Sequence, residues 1–116
     1  METVAVAFPE LASELVAALN AAGQIDLAGE LPRATVREVT FDNSANAGYI
    51  YVNSPKSLNL AEQNIIGVRH GETIPVECRY WVNLDTDNFG RLAGIEILSP
   101  PADLQAELSD RARRTV

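Results

Sequence analysis

The sequence predicts an α+β fold, in which an antiparallel meander sheet of four to five strands accompanies an N-terminal helix and a short C-terminal helix. From Thr73 to Asp85, apolar and polar residues alternate almost without a break, which is typical of a strand with one buried face. The predicted strands follow one another without the intervening helices that parallel βαβ units need. The length of 116 residues suits one domain, residues 1–116, with its own core.

The first predicted element is a helix over residues 9–23. Pro9 suits a first helical position, and Gly23 suits the left-handed cap that follows a last turn. Alanines raise the helix propensity of this segment. Its apolar stripe recurs at helical spacing and consists of Leu11, Leu15, Val16 and Leu19. Residues 24–32 are interpreted as a connector, because Gly29 and Pro32 are typical of turns and loops.

The antiparallel sheet is assigned to residues 34–98. Its predicted strands are rich in β-branched and aromatic residues and cover residues 34–41, 48–53, 65–70, 73–85 and 91–98. A turn rich in Asp and Asn separates the first two strands. Residues 54–64 receive no firm assignment, since Pro55 argues against a central strand, and Leu58 and Leu60 could belong to a short strand or to a loop that covers the sheet. A helix over residues 100–110 and a solvated basic tail over residues 111–116 close the chain.

The long alternating strand suggests an interface. Its apolar face carries Ile74, Val76, Cys78, Tyr80, Val82 and Leu84. Trp81 falls on the other face, and two short helices cover only one face of such a sheet. Large apolar groups outside a core tend to mark interfaces. We therefore expect a homodimer that uses Trp81, together with Tyr49 and Tyr51, which share one face of their strand.

The charge and the cysteine content narrow the classes of partner and compartment. A net charge of −7 argues against nucleic acid and against anionic membrane surfaces. It would attract a basic protein partner, although acidity alone usually serves solubility. A single cysteine, Cys78, excludes an internal disulfide. The N-terminus lacks the pattern of a signal peptide, and no apolar run is long enough to span a membrane. We expect a soluble cytoplasmic protein.

Two motifs resemble a known family of small bacterial proteins. The opening motif is Phe41-Asp42-Asn43-Ser44-Ala45-Asn46-Ala47-Gly48-Tyr49-Ile50. The closing motif is Val82-Asn83-Leu84-Asp85 with Gly90-Arg91-Leu92-Ala93-Gly94-Ile95-Glu96-Ile97-Leu98. Between about Thr40 and Leu98 the chain resembles the domain-of-unknown-function family 2283, although Gly48 replaces the alanine usual before the tyrosine. The resemblance implies a compact α+β domain with no established activity or catalytic residues, and a partner-neutralising role for some members.

The segment after the long strand has the spacing of a calcium-binding loop. Asp85, Asp87, Gly90 and Glu96 occupy positions one, three, six and twelve of an EF-hand. Phe89 at position five offers no side-chain oxygen, and the flanks are predicted strands. We interpret the segment as a hairpin turn with Gly90 in the left-handed conformation. Asp85 and Asp87 remain candidates for a weak cation contact.

The chemistry-bearing residues predict no enzyme. His70 and Cys78 are the only residues of their types, so a nucleophilic pair is conceivable. Cys78 is expected to be buried and inert, and His70 to be exposed on a rim. We expect no catalytic residues and no cofactor. The predicted function is a non-enzymatic interaction module that dimerises through its sheet and binds another protein. The alternative is a small-molecule or metal-responsive domain, or a weak hydrolase, that uses Asp85, Asp87 and His70.

Overall fold

A computed structural model of the chain describes residues 1–58 and 60–114. The helices are α1 (Val4–Ala7), α2 (Pro9–Ala21), α3 (Ile25–Glu30), α4 (Leu60–Ile66) and α5 (Ala102–Arg114). A 3₁₀ turn covers Leu31–Arg33. The strands are β1 (Thr35–Asp42), β2 (Ala47–Asn53), β3 (His70–Glu77), β4 (Trp81–Asp87) and β5 (Leu92–Leu98). The predicted α+β class, with an antiparallel sheet between N-terminal and C-terminal helices, is confirmed.

All neighbouring strands are antiparallel, in the order β1-β2-β5-β4-β3. The meander is interrupted once, because the connection from β2 to β3 passes from the second strand of the sheet to its far edge. This crossing places β5 between β2 and β4. Side chains of β2 and β4 can therefore meet across β5, although the two strands are far apart in sequence.

The alternating run Thr73–Asp85 is a hairpin, and the prediction of one long strand is wrong. Strands β3 and β4 enclose a turn at residues 78–80, with Glu77 paired to Trp81. Because three residues separate this pair, the odd-numbered residues of both strands lie on one face of the sheet and the even-numbered residues on the other. Ile74 pairs with Leu84 accordingly. A turn of this length leaves the two-residue period unbroken, so periodicity alone does not reveal it.

The predicted connector over residues 24–32 contains α3 and the 3₁₀ turn, so that assignment was also wrong. Leu27, Ala28 and Leu31 are buried in the core. Gly29 is exposed, and nothing lies within 4 Å of the place where its Cβ would be. Packing against α2 therefore stabilises a short helix in spite of the glycine, as tertiary contacts commonly override propensity.

Three further boundaries differ from the predictions. Residues 65–70 do not form a strand, since Ile65 and Ile66 lie in α4 and are exposed rather than turned towards the sheet. The short helix α1 was not predicted. The C-terminal helix extends to Arg114, because Arg111 bonds to Glu2 and to the Ala7 carbonyl and so holds the last turns in place. Residues 115 and 116 of the predicted basic tail lie outside the described residues.

Helices α1, α2, α3 and α5 form a layer on one face of the sheet. Helix α5 packs on β1 and β2, and α2 packs on β3. The helix side of the core contains Leu11, Leu15, Leu19, Leu27, Leu31, Leu104 and Leu108. The sheet side contains Val39, Ile50, Val52, Val76, Val82, Leu84, Ile95 and Ile97. Within the described part of the chain, no helix is long and apolar enough to cross a membrane.

A buried carboxylate joins the helix layer to the end of the sheet. The side chain of Glu30 is fully buried, and its Oε2 accepts hydrogen bonds from the Leu92 amide and the Ser54 hydroxyl, both at 2.6 Å. Its Oε1 lies 3.3 Å from the Lys56 ammonium, in an ion pair without a hydrogen bond. Glu30 thus satisfies the first amide of β5 and fixes the end of β2 in place.

Candidate functional site

The face of the sheet opposite the helices is the candidate site. We call it the open face, and define it by three rows of residues that the strand register places side by side. The rows are Glu38, Tyr51, Gly94, Asp85 and Thr73; Thr40, Tyr49, Glu96, Asn83 and Pro75; and Asp42, Ala47, Leu98, Trp81 and Glu77. Apart from Gly94, none of these residues is buried.

Tyr49 and Asp85 connect β2 to β4 across the intervening strand. The Tyr49 hydroxyl donates a hydrogen bond of 2.6 Å to Asp85 Oδ2. The phenol passes directly over Gly94 of β5, and a Cβ at residue 94 would overlap the hydroxyl oxygen and ring carbons of Tyr49. The absence of a side chain at position 94 therefore makes this contact possible.

Asp85 accepts hydrogen bonds from three side chains. Besides Tyr49, the Thr73 hydroxyl donates to Asp85 Oδ1 at 2.7 Å, and His70 Nε2 lies 3.4 Å from the same oxygen. His70 Nε2 is also 3.1 Å from the Thr73 hydroxyl. Burial alone would raise the pKa of Asp85, but the hydrogen bonds from Tyr49, Thr73 and His70 together outweigh it and lower the pKa below its usual range. Asp85 is therefore ionised at neutral pH.

The Tyr49 phenol has the opposite shift. Burial and, next, the hydrogen bond to the Asp85 carboxylate raise the pKa of Tyr49 well above its usual range. Tyr49 consequently remains a protonated donor at neutral pH. The pair is a fixed donor and acceptor rather than a proton-transfer couple, since neither group has a pKa near neutrality.

The rest of the open face combines aromatic rings with charge. The rings of Tyr49 and Tyr51 lie side by side, with centroids 4.4 Å apart. The Arg37 guanidinium lies over the Tyr51 ring, 5.4 Å from its centroid. On the neighbouring strands, the Asn83 amide donates to Glu96 Oε1 at 3.0 Å. These contacts hold the central side chains in defined positions.

Trp81 lies at one end of the open face and is 65% exposed. Its register partners are Leu98 on β5 and Glu77 on β3. The structure therefore places Trp81, Tyr49 and Tyr51 on one surface, as their sequence positions suggested for an interface. Trp81 is also the only tryptophan in the chain, so its emission reports on this surface alone.

The carboxylates of Asp85 and Asp87 do not meet at a common site. Asp87 Oδ1 accepts hydrogen bonds from the Phe89 and Arg91 amides, and Asp87 Oδ2 pairs with Arg91 Nε at 2.8 Å. This carboxylate stabilises the turn into β5, where Gly90 has the predicted left-handed conformation, with φ of 77°. The interpretation of the segment after Asp85 as a hairpin turn is confirmed. Among the described residues, no group of three or more His, Cys, Asp or Glu side chains is arranged to hold a metal ion.

His70 and Cys78 lie at opposite ends of β3, roughly 25 Å apart at the rise of an extended strand. Cys78 is in the turn after β3, where its thiol donates to the Tyr80 carbonyl at 3.2 Å. Burial raises the pKa of the Cys78 thiol. A raised pKa disfavours the thiolate, and His70 is too far away to act as its base, so Cys78 and His70 do not form the conceivable nucleophilic pair.

Sequence reasoning missed several parts of this site: the roles of Thr73, Asn83, Gly94 and Glu96, and the position of Arg37 over Tyr51. Gly94 offered a signal, because a glycine inside a predicted strand often marks a close approach by another group. The hydrogen bonds to Asp85 had no comparable signal, since they depend on which strands are neighbours.

No family model, no curated protein and no solved structure matches the chain. The resemblance to the domain-of-unknown-function family 2283 stays a prediction, and the open face is interpreted from its own chemistry.

Proposed function

We propose that the chain is a non-enzymatic interaction module that binds another protein on its open face. The observation that carries the proposal is an uncovered sheet face with Trp81, Tyr49 and Tyr51 on it. Tyrosine and tryptophan are enriched at protein interfaces, because their rings contribute apolar area at little cost in conformational entropy. The hydrogen bonds around Asp85 support this role, since a surface held rigid before binding loses less entropy on binding.

The edges of the sheet favour docking on the face over the addition of a strand. Edge strand β1 is partly covered by the N-terminal segment, where Thr3 bridges Thr35 and the Val36 amide donates to the Glu2 carbonyl at 2.8 Å. Edge strand β3 contains Pro75 and an irregular register near Thr73. Proline and bulges obstruct pairing with a further strand.

The homodimer remains part of the proposal as a weaker association. Five strands of about seven residues present a face of roughly 500 Å², so two stacked faces bury about 1,000 Å². Stable interfaces usually bury about 1,200 to 2,000 Å² in total. A second copy would also bring the carboxylates of Glu38 and Glu77 against a face that carries the same charges. We expect a dimer only at high protein concentration and high salt.

Photo-crosslinking tests the proposal. We would place p-benzoylphenylalanine at position 81, and in a matched control at position 25, since Trp81 and Ile25 have similar exposure, 65% and 61%. Ile25 lies on α3 in the helix layer. In a lysate of the source organism, we expect adducts with defined proteins from position 81 that are absent from position 25. Identical adducts from both positions, or none from position 81, would refute the open face as a docking surface.

A second candidate function depends on Asp85 and His70, which the structure brings to 3.4 Å. A carboxylate that orients an imidazole is a common arrangement in ligand-binding and hydrolytic sites. Asp87 cannot join it, because turn groups occupy its carboxylate. This function predicts that cations or members of a metabolite panel raise the melting temperature of the wild type but not of Asp85→Asn. An unchanged melting temperature across both panels would eliminate it.

A further inference from the structure

We infer that the partner presents an arginine-rich segment to the open face. This inference rests on the proposed function, because it assigns the chemistry of the partner that docks there. The charge of the open face is the first observation. Its carboxylates belong to Glu38, Asp42, Glu77, Asp85 and Glu96. Two basic groups lie beside these residues: Arg37 over the Tyr51 ring, and His70 next to Asp85.

The distribution of these carboxylates suits an extended cationic segment. Glu38 lies on the edge strand β1 and Glu77 on the opposite edge strand β3, with Asp85 and Glu96 between them. Five strands span about 20 Å from edge to edge, which six extended residues can cross. Both edge carboxylates are exposed, so they are available to a partner without breaking any contact of the central network.

One guanidinium of the chain, that of Arg37, already lies on the open face. Arg37 has no partner in the β1–β2 register, because the register shifts between Val36 and Glu38. Its guanidinium lies over the Tyr51 ring, 5.4 Å from the centroid. A guanidinium combines stacking on an aromatic ring with two parallel hydrogen bonds to a carboxylate, whereas an ammonium offers only a point charge. The mixture of tyrosine rings and carboxylates on this face therefore favours arginine over lysine.

A blocked hexa-arginine peptide tests the inference. It contains no fluorophore, so Trp81 emission reports binding directly, and amide shifts in NMR spectra locate the peptide. We expect the shifts to fall on the open face from β1 to β3, and the affinity to decrease steeply between 50 and 200 mM salt, since screening weakens exposed charge pairs. Blocked hexa-lysine should bind more weakly, and hexa-glutamate should not bind.

Two double variants provide the matched comparison. Glu38→Gln with Glu77→Gln removes two carboxylates from the open face, and Glu10→Gln with Asp26→Asn removes two exposed ones from the helix layer. The net charge changes equally in both. We expect the first pair to weaken hexa-arginine binding by up to about fivefold for each carboxylate, and the second to leave it nearly unchanged.

Several outcomes would overturn the inference. Equal losses in the two double variants would mean that only net charge matters. Shifts on the helix layer, no binding of hexa-arginine, or equally tight binding of hexa-lysine would each contradict an arginine-specific open face. The photo-crosslinking at position 81 is independent of these measurements. A partner captured there that lacks a basic segment would refute the inference and leave the proposed function standing.

Discussion

The Tyr49 hydroxyl and the Asp85 carboxylate, 36 positions apart in the chain, meet at 2.6 Å across the backbone of Gly94. This hydrogen bond links β2 directly to β4. It passes over β5 at a residue that has no side chain. It lowers the pKa of Asp85, raises that of Tyr49, and holds one ring of the aromatic pair on the open face.

Replacing Gly94 with alanine should break the link between the two strands. The new methyl group would occupy the space of the Tyr49 hydroxyl, so the ring must move away from Asp85. We expect the free energy of unfolding, measured by urea denaturation, to fall by about 1 to 3 kcal/mol, as is usual for overpacking. Gly29→Ala is the control, because its methyl group would meet open space and should cost nothing. Equal effects of the two substitutions would contradict the steric explanation.

Tyr49→Phe should remove the hydrogen bond and keep the ring. We expect the free energy of unfolding to decrease by about 1.5 kcal/mol, since the lost bond has a charged acceptor. The pKa of Asp85 should rise towards its ordinary value, because one of the groups that stabilise the carboxylate is gone. An NMR titration of the Asp85 side chain measures this shift. Tyr51→Phe, which removes no donor to Asp85, should leave that pKa unchanged.

The stability that Asp85 contributes should depend on pH with a defined sign. Its pKa is lower in the folded chain than the ordinary value of 3.8, so its contribution is present above pH 3.8 and is lost as the pH falls through the folded value. We would measure the free energy of unfolding of the wild type and of Asp85→Asn between pH 7 and pH 2. The difference between them should be constant near neutrality and shrink below pH 3.8. A difference that grows on acidification would show that the sign is wrong.

Removal of the buried carboxylate of Glu30 should destabilise the fold strongly. Glu30→Ala would leave the Leu92 amide without its acceptor and the Lys56 ammonium without its counter-charge. We expect a loss of about 3 kcal/mol in the free energy of unfolding. Glu30→Gln keeps an acceptor for the amide and should cost less. A loss below about 1 kcal/mol for the alanine variant would show that this contact does not hold β5 in place.

Much of the architecture was predictable because its causes are local. The leucine stripe of α2, the turn residues before β2 and the alternation in β5 each depend on neighbours within a few positions. The same local patterns indicated that Trp81 lies away from the core and that Tyr49 and Tyr51 share one face of their strand. The burial of Leu27 and Leu31 agrees with the sequence, but the helical conformation of α3 was not predictable in this way, because α3 forms through its packing on α2.

The sequence by itself determined which side chains are apolar, where β1, β2, β5 and the two main helices form, and that one sheet face lacks a cover from the predicted helices. Only the tertiary structure decided that Thr73–Asp85 turns back at residues 78–80, since a three-residue turn preserves the two-residue period. It alone decided that β5 separates β2 from β4, which brings Tyr49 to Asp85 and Glu30 to Leu92, 62 positions away. The choice of neighbouring strands depends on the packing of the whole chain, and a local pattern carries no information about it.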